Sequence, residues 1–238
     1  MSQQIQLGDI TIDVERKPIK NIHLSVYPPA GRVRIAAPER MELATIRVFA
    51  IAKLDWIKAQ QRRMRAQERE APREYLERES HYVWGQRYLL HVQERTAPPS
   101  VSLSPTQLLL SVRPGTAEAQ RQAILERWYR EQLRAAVTSL IAKWEPMMGV
   151  KVQRIFVQRM KTRWGSCTPS TGSIRLNTEL AKKPRECLEY VVVHELTHLI
   201  EPSHNRRFIS LMDQFMPHWQ AYRAQLNALP VRHETWVD

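Results

Sequence analysis

The strongest constraint on how this chain can fold is a short run in its last quarter, which reads His194-Glu195-Leu196-Thr197-His198. On an α-helix, residues i and i+4 project from the same face, so both imidazoles can bind one metal ion. Glu195 is rotated from His194 by about 100° and lies beside that ion. The pattern therefore predicts a helix that carries two metal ligands and an adjacent general base.

The residues around this run have the spacing of a buried helix that ends soon after it. Pro184 suits a first helical turn. Apolar residues recur at intervals of three and four: Leu188, Val191, Val192 and Leu199. Pro202 cannot continue a helix and biases Glu201 away from helical geometry. The chain can turn there and bring His204 back toward the first two histidines.

A third ligand decides what kind of site this is. Three protein ligands and one open position are typical of a catalytic zinc, whereas a structural site fills the fourth position. His204 is the predicted third ligand, and a carboxylate is the alternative found in another class of zinc peptidases. That alternative nominates Glu201, Asp213 or Glu234.

Two other interpretations of the run remain open. One is a buried helix whose histidines only hydrogen-bond within the core. The other is a closed structural metal site, although the sulfur ligands that such a site would use are lacking. Cys167 and Cys187 are the only cysteines, and neither belongs to a C-x-x-C pair.

Four segments resemble the YgjP-like metallopeptidase family, which is related to the SprT and Spartan proteases. They are RWGSC at 163–167, IRLN at 174–177, YVVVHELTHL at 190–199 and HNRRF at 204–208. The resemblance is strong from about Lys151 to Trp219 and weaker upstream, at WGQRY (84–88) and in the helix before Gly149.

This resemblance implies a peptidase that depends on one zinc ion per chain and acts on a protein or peptide. It implies that His194, His198 and His204 bind the zinc and that Glu195 is the catalyst. In that mechanism Glu195 accepts a proton from water and later protonates the leaving amine. Tyr222 and His218 are candidates for the donor that stabilises the oxyanion. Cys167 is a candidate nucleophile or redox switch, with a small packing residue as the alternative.

Composition limits the class of protein. The chain has 238 residues, of which 43% are hydrophobic, enough for a substantial core. Two cysteines without paired spacing argue against a disulfide framework and fit a reducing compartment. The first residues lack the pattern of a secretory signal, and no apolar run approaches the length that spans a bilayer. These features predict a cytoplasmic protein without a membrane partner.

The charge balance favours anionic partners. Thirty-six Lys and Arg against 24 Asp and Glu give a formal net charge of +12. Arg163 and Trp164 offer a cation and a stacking face, and Arg206 and Arg207 follow His204 closely. These four residues are candidates for contact with a substrate or with nucleic acid. A solvated basic surface, with Trp164 as a packing residue, is the alternative.

The periodicity predicts an α+β fold in two parts. Residues 1–115 form a β-rich region with one long helix. Strands are predicted at 10–14, 22–26 and 33–35, as a small antiparallel sheet with a turn at 28–31, and again at 88–92 and 108–112. The helical period covers about 39–67, and a charged connector follows over 65–80.

Residues 116–238 are predicted as a zincin-like metallopeptidase domain, in which the H-E-x-x-H helix packs on a small sheet. A long helix runs from Ala117 to about Trp144, with Gly149 just beyond it. Strands at 152–157 and 173–177 flank the metal helix, and two helices near 205–216 and 219–229 cover the core. Ile174 to Asn177 is the predicted edge strand that pairs with a peptide substrate. A nucleic-acid or protein binding module with a structural metal is the alternative function.

Overall fold

The computed structural model describes residues 3–27, 31–66, 69–70, 75–160, 163–228 and 231–232. The chain divides into two compact units, residues 1–72 with 230–238 and residues 73–229. The predicted division between residues 115 and 116 differs from this and falls inside the second unit. The reason is that Leu110 and Val112 share one core with Leu125 and Leu133 of the long helix that follows. No helix in the described part of the chain has the length and apolarity to span a membrane.

The first unit contains a four-stranded sheet. Its strands are β1 (Gln3–Leu7), β2 (Ile10–Lys17), β3 (His23–Tyr27) and β4 (Arg32–Pro38), in the order β1-β2-β4-β3. The predicted strands are confirmed, but the prediction of a purely antiparallel sheet is wrong, since β2 and β4 pair in parallel. The cause is that β3 lies at the outer edge, so that the chain passes it before β4 returns beside β2. The predicted turn at 28–31 lies largely outside the described residues.

Two helices cover this sheet. The predicted helix over 39–67 is observed as α1 (Leu43–Ala52) and α2 (Leu54–Ala66). They are separated at Lys53, which leaves helical geometry at φ −105° and ψ 6°. Ile46 and Ala50 of α1 and Ile57 of α2 are fully buried against the sheet. A two-residue strand, β5 (Arg69–Glu70), follows, and part of the predicted charged connector is outside the described residues.

The second unit begins with another four-stranded sheet. Its strands are β6 (Ser80–Val83), β7 (Gln86–Glu94), β8 (Ser100–Leu103) and β9 (Gln107–Val112), in the order β6-β7-β9-β8. The predicted strands β7 and β9 are confirmed and pair in parallel at the centre. The long helix α3 (Glu118–Met148) follows. Gly149 ends it in the left-handed conformation at φ 66°, as predicted.

A three-stranded sheet and three helices complete the second unit. The strands are β10 (Arg154–Gln158), β11 (Gly165–Thr168) and β12 (Ser173–Asn177), and the helices are α4 (Arg185–Ile200), α5 (Arg206–Phe215) and α6 (Trp219–Ala228). A last short strand, β13 (Val231–Arg232), belongs to the first unit and pairs with β5. The fold is α+β, as predicted, with a β-rich first part and the H-E-x-x-H helix on a small sheet.

The prediction for the edge of this small sheet is wrong. The strand order is β10-β12-β11, so β12 is the central strand, bonded on both sides. β11 is the edge strand that packs against α4. Its sequence, GSCT, has no alternation of large apolar residues, and for that reason the sequence pattern does not predict it.

Candidate metal centre

Helix α4 positions the first two histidines and Glu195. Most of its residues are buried, among them Val191, Val192 and Val193, so packing on several sides fixes the helix. The helix ends where predicted, with Glu201 in an extended conformation at φ −135° before Pro202. The chain then turns to Asn205, whose side chain accepts a hydrogen bond of 3.0 Å from the amide of Phe208 and caps α5.

This turn brings His204 to His194 and His198. Potential ligand nitrogens of the three residues all lie within 4.8 Å of one another, and Nε2 of His204 is 3.1 Å from Nε2 of His194. Zinc–nitrogen bonds of about 2.0–2.1 Å in a tetrahedron separate two ligand nitrogens by about 3.4 Å. The spacing of the three side chains, called the histidine trio below, therefore fits a single ion.

The protonation of two members of the trio, His194 and His198, also fits a metal ion. Burial and the two neighbouring imidazoles lower the pKa of His194 to about 3, and burial lowers the pKa of His198. Neutral imidazoles offer the lone pairs that a metal needs. Nδ1 of His198 lies 3.2 Å from the carbonyl oxygen of Glu201, and donation to that oxygen leaves Nε2 as the ligand atom.

Glu195 lies against the bare backbone of the edge strand. Its side chain is 5% exposed, and Oε2 has no hydrogen-bond partner within the described part of the chain. A Cβ atom on Gly165 of β11 would stand 2.6 Å from Oε1 of Glu195, a distance that no real Cβ contact allows. The absence of a side chain at this position is what admits the carboxylate. Burial raises the pKa of Glu195 to about 8, while the charge of Arg163 acts in the opposite direction.

Phe208 packs against all three histidines. The centre of its ring lies 5.0 Å from that of His194 and 4.7 Å from those of His198 and His204. The side chain is 2% exposed, whereas His204 is exposed. Neither Phe208 nor Gly165 was selected from the sequence. The available signals were an aromatic residue four positions after His204 and a glycine directly after Trp164.

Comparison with known proteins identifies the family of the chain. A family described as the YgjP-like metallopeptidase domain matches residues 20–229. The chain belongs to the YgjP-like family. It is therefore a metallopeptidase, a hydrolase that acts on proteins or peptides, and the resemblance stated above is confirmed.

Solved structures also resemble part of this YgjP-like chain. The metallopeptidase zymogen of Pyrococcus abyssi abylysin is 18% identical, with a TM-score of 0.36 over 38% of this chain and 90% of that one. The zymogen of Methanocaldococcus jannaschii jannalysin is 19% identical, with a TM-score of 0.33 over 40% of this chain and 92% of that one. None of the curated proteins matches at a significant level.

Two of the three carboxylates considered as third ligands of the YgjP-like site are engaged elsewhere. Asp213 accepts a hydrogen bond of 2.8 Å from Nε1 of Trp219. Glu201 accepts hydrogen bonds from the amide and hydroxyl of Ser203, at 3.2 and 2.8 Å. Glu234 lies outside the described residues. Within the described ranges, the trio is the one group of three or more such residues whose spacing suits a metal.

The predicted contact residues are distributed differently. Arg163, Arg206 and Arg207 are exposed around the site. Trp164 is half-buried against the core, with the Lys183 ammonium 6.0 Å from its ring centre, so it acts as a packing residue.

Ile174 and Asn177 do not have the predicted contact role. Ile174 is fully buried, and Asn177 is 6% exposed within the central strand. Nδ2 of Asn177 instead donates to the carbonyl oxygens of Met160 and Arg163, at 2.8 and 2.9 Å. Its function is to fix the loop that leads into β11.

The remaining candidates lie away from the histidine trio or are unreactive. Tyr222 and His218 line a cavity of about 150 Å³ between α3, α4 and α6, and neither the trio nor Glu195 belongs to its lining. Burial and the charge of Glu195 raise the pKa of the Cys167 thiol to about 11. A thiol that stays protonated at neutral pH is a poor nucleophile, which favours the packing role.

Proposed function

We propose that this metallopeptidase is zinc-dependent, with His194, His198 and His204 as ligands of one zinc ion and Glu195 as general base. The observation that supports it is the convergence of three imidazoles beside a buried carboxylate. Three nitrogen ligands with a carboxylate that is not itself a ligand are the donor set of a catalytic zinc site. The absence of a fourth ligating side chain from the described group supports an open coordination position.

The chemistry then depends on Glu195. A zinc ion held by His194, His198 and His204 would supply the Lewis acidity that activates water and the scissile carbonyl. Glu195 takes a proton from the attacking water and returns it to the leaving amine. Burial favours the protonated carboxyl, and a neighbouring cation favours the carboxylate. Glu195 is therefore suited to both halves of the proton transfer near neutral pH.

The free edge of β11 is the proposed place for the substrate backbone. β11 pairs with β12 on one side, and no strand in the described part of the chain pairs with its other edge. An extended peptide that adds to this edge would use main-chain hydrogen bonds for affinity. Gly165 lies on this strand next to Glu195. Because the general base must be close to the bond that is cleaved, we place the scissile bond next to Gly165.

Proteins associated with nucleic acid are the proposed class of substrate, on the basis of the formal charge of +12 and of the exposed Arg206 and Arg207 beside the trio. The free thiols of Cys167 and Cys187 fit a reducing compartment, and we propose a cytoplasmic location. A binding module with a structural metal is the competing function.

One substitution separates the two functions. Glu195→Gln is expected to abolish hydrolysis of a fluorogenic peptide mixture while the protein retains one zinc ion per chain by metal analysis. His204→Ala serves as the comparison and is expected to lose both zinc and activity. In a binding module, Glu195→Gln would change neither property. Hydrolysis that survives Glu195→Gln would eliminate the proposed mechanism.

A further inference from the structure

Arg163 has a backbone held by hydrogen bonds and a head group that no described residue engages. Its carbonyl oxygen accepts a hydrogen bond from Nδ2 of Asn177, and the carbonyl oxygen of the next residue, Trp164, accepts one of 2.9 Å from the Asn177 amide. The side chain is exposed. Among the described residues, no hydrogen bond or ion pair involves its guanidinium. A positive charge is therefore presented from a rigid position.

Arg163 lies near Glu195 along the chain of the edge strand. It precedes Gly165 by two residues, and a Cβ atom on Gly165 would contact Glu195. A second exposed arginine, Arg207, belongs to α5 and follows His204 by three residues. These two charges favour an anionic group in whatever binds at the site.

The edge strand defines how far Arg163 is from the reacting bond. Gly165 adjoins Glu195, and Arg163 precedes Gly165 by two residues. Strand residues advance by about 3.3 Å each, so two residues of extended chain span about 7 Å. Arg163 precedes β11, with Trp164 in a bend between them, so its exposed side chain can reach a substrate residue about 7 Å from a scissile bond at Gly165.

We propose that Arg163 determines specificity by binding an acidic side chain of the substrate, two residues from the scissile bond. This inference rests on the proposed function and adds the charge of one substrate side chain, which is negative. A guanidinium binds a carboxylate through two parallel N–H···O bonds, and no acidic residue of the described chain forms an ion pair or hydrogen bond with this head group.

The test reverses the charge at Arg163 in the enzyme and, separately, at one position of the peptide substrate. Fluorogenic peptides carry Glu, Gln or Lys at the positions two residues to either side of the scissile bond. The wild-type enzyme is expected to have a kcat/KM roughly tenfold higher for the Glu peptide than for the Lys peptide. Arg163→Glu should reverse that order. Arg154→Glu is the matched control, because it changes the charge equally on the exposed far strand β10 and should retain the wild-type order.

Binding separates failure of this inference from failure of the proposed function. In the Glu195→Gln background, fluorescence anisotropy should show that Arg163→Glu weakens binding of the Glu peptide roughly tenfold. If no peptide is cleaved but this difference in binding remains, the hydrolytic mechanism fails and the role of Arg163 stands. If all peptides are cleaved equally by the wild type and by Arg163→Glu, the role of Arg163 is refuted and the peptidase stands.

Nucleic acid is the other anion that Arg163 could bind, and competition distinguishes it. A single-stranded oligonucleotide is added to the bound peptide. Suppose that it displaces peptide from the wild type but not from Arg163→Glu, while the Glu and Lys peptides bind equally. That result assigns Arg163 to phosphate and overturns the acidic-peptide proposal. Retention of the Glu preference in the presence of oligonucleotide supports it.

Discussion

At the scale of single residues, the site depends on Gly165, which has no side chain, and on Phe208, whose ring packs against all three histidines. Glu195 occupies the space that a Cβ atom on Gly165 would fill. Phe208 contacts all three imidazoles, including the exposed His204. Gly165 and Phe208 carry no reactive group of their own. Substituting them therefore tests how much the positions of Glu195 and of the histidine trio matter, while the reactive groups themselves stay unchanged.

Gly165→Ala should lower kcat by about 10- to 100-fold, because the added Cβ, 2.6 Å from Oε1, displaces the carboxylate and small errors of position are costly in catalysis. Zinc content should stay at one ion per chain, since the three atoms nearest to the added Cβ all belong to Glu195 and none to the trio. Kinetics and metal analysis on the same preparation check this. Ser166→Ala is the control, because successive strand side chains point to opposite faces. Unchanged kcat in Gly165→Ala would contradict the role of this contact.

Phe208→Leu should weaken zinc binding by about tenfold, because residues that orient metal ligands typically contribute 10- to 100-fold to affinity. The measurement is competition for zinc with a chromophoric chelator. Phe215→Leu, at the other end of α5 and half-buried, is the matched control and should bind zinc as the wild type does. Equal affinity in both variants would show that His204 needs no support from the Phe208 ring.

At the scale of elements, a hairpin turn fixes the start of the H-E-x-x-H helix, α4. The amides of Trp84 and Gly85, between β6 and β7, donate to the carbonyl oxygens of Ala181 and Lys182, at 2.9 and 3.2 Å. The guanidinium of Arg185, the first residue of α4, lies 4.3 Å from the centre of the Trp84 ring. These contacts explain why the WGQRY segment accompanies the site in the sequence although it contributes no ligand.

Gly85→Ala should lower the free energy of unfolding by about 2–4 kcal/mol, because it combines a positive φ with overpacking. Gly85 has φ +81°, and its Cβ would stand 2.9 Å from Cγ of Pro184. Gly115→Ala is the control: it has φ +74° and no neighbour within 4 Å, so only the backbone term of about 1–2 kcal/mol applies. Urea denaturation measures both. An equal loss in the two variants would mean that the Pro184 contact contributes nothing.

The elements also show what sequence reasoning can detect. The alternation of Ile174 and Leu176 predicts a strand, but it marks burial of one face and does not reveal which edges are bonded. The substrate edge was therefore assigned to β12 and not to β11, whose four small residues have no pattern. The trio was predictable because its spacing is local to one helix and the turn after it. Gly165 and Phe208 were not, because their contacts join separate elements.

At the scale of the whole molecule, the two units contain sheets with the same topology. The orders β1-β2-β4-β3 and β6-β7-β9-β8 have identical pairings: an antiparallel outer pair, a parallel central pair and an antiparallel outer pair. A helix follows each of them. No repeat is evident in the sequence. Such a sheet requires only that certain positions be apolar and buried, and many different sequences meet that requirement.

The charge of the whole chain leads to a prediction about salt. The protein has an excess of 12 positive charges. If it binds single-stranded DNA through them, its affinity for DNA should fall by at least tenfold between 50 and 200 mM salt, because binding releases counterions from the DNA phosphates. Fluorescence anisotropy at four salt concentrations measures the slope. Arg206→Glu combined with Arg207→Glu should flatten it, whereas Arg154→Glu should alter it less. A slope near zero would eliminate nucleic acid as a partner and leave the peptidase intact.

The place of His204 in the chain has a consequence for biosynthesis. Two of the three imidazoles belong to α4, but the third follows its end and rests on a ring from α5. A nascent polypeptide that has emerged only as far as Ile200 lacks one corner of the proposed centre. Under the proposed function, a partly synthesised chain would therefore have no peptidase activity until His204 has emerged from the ribosome and α5 has folded.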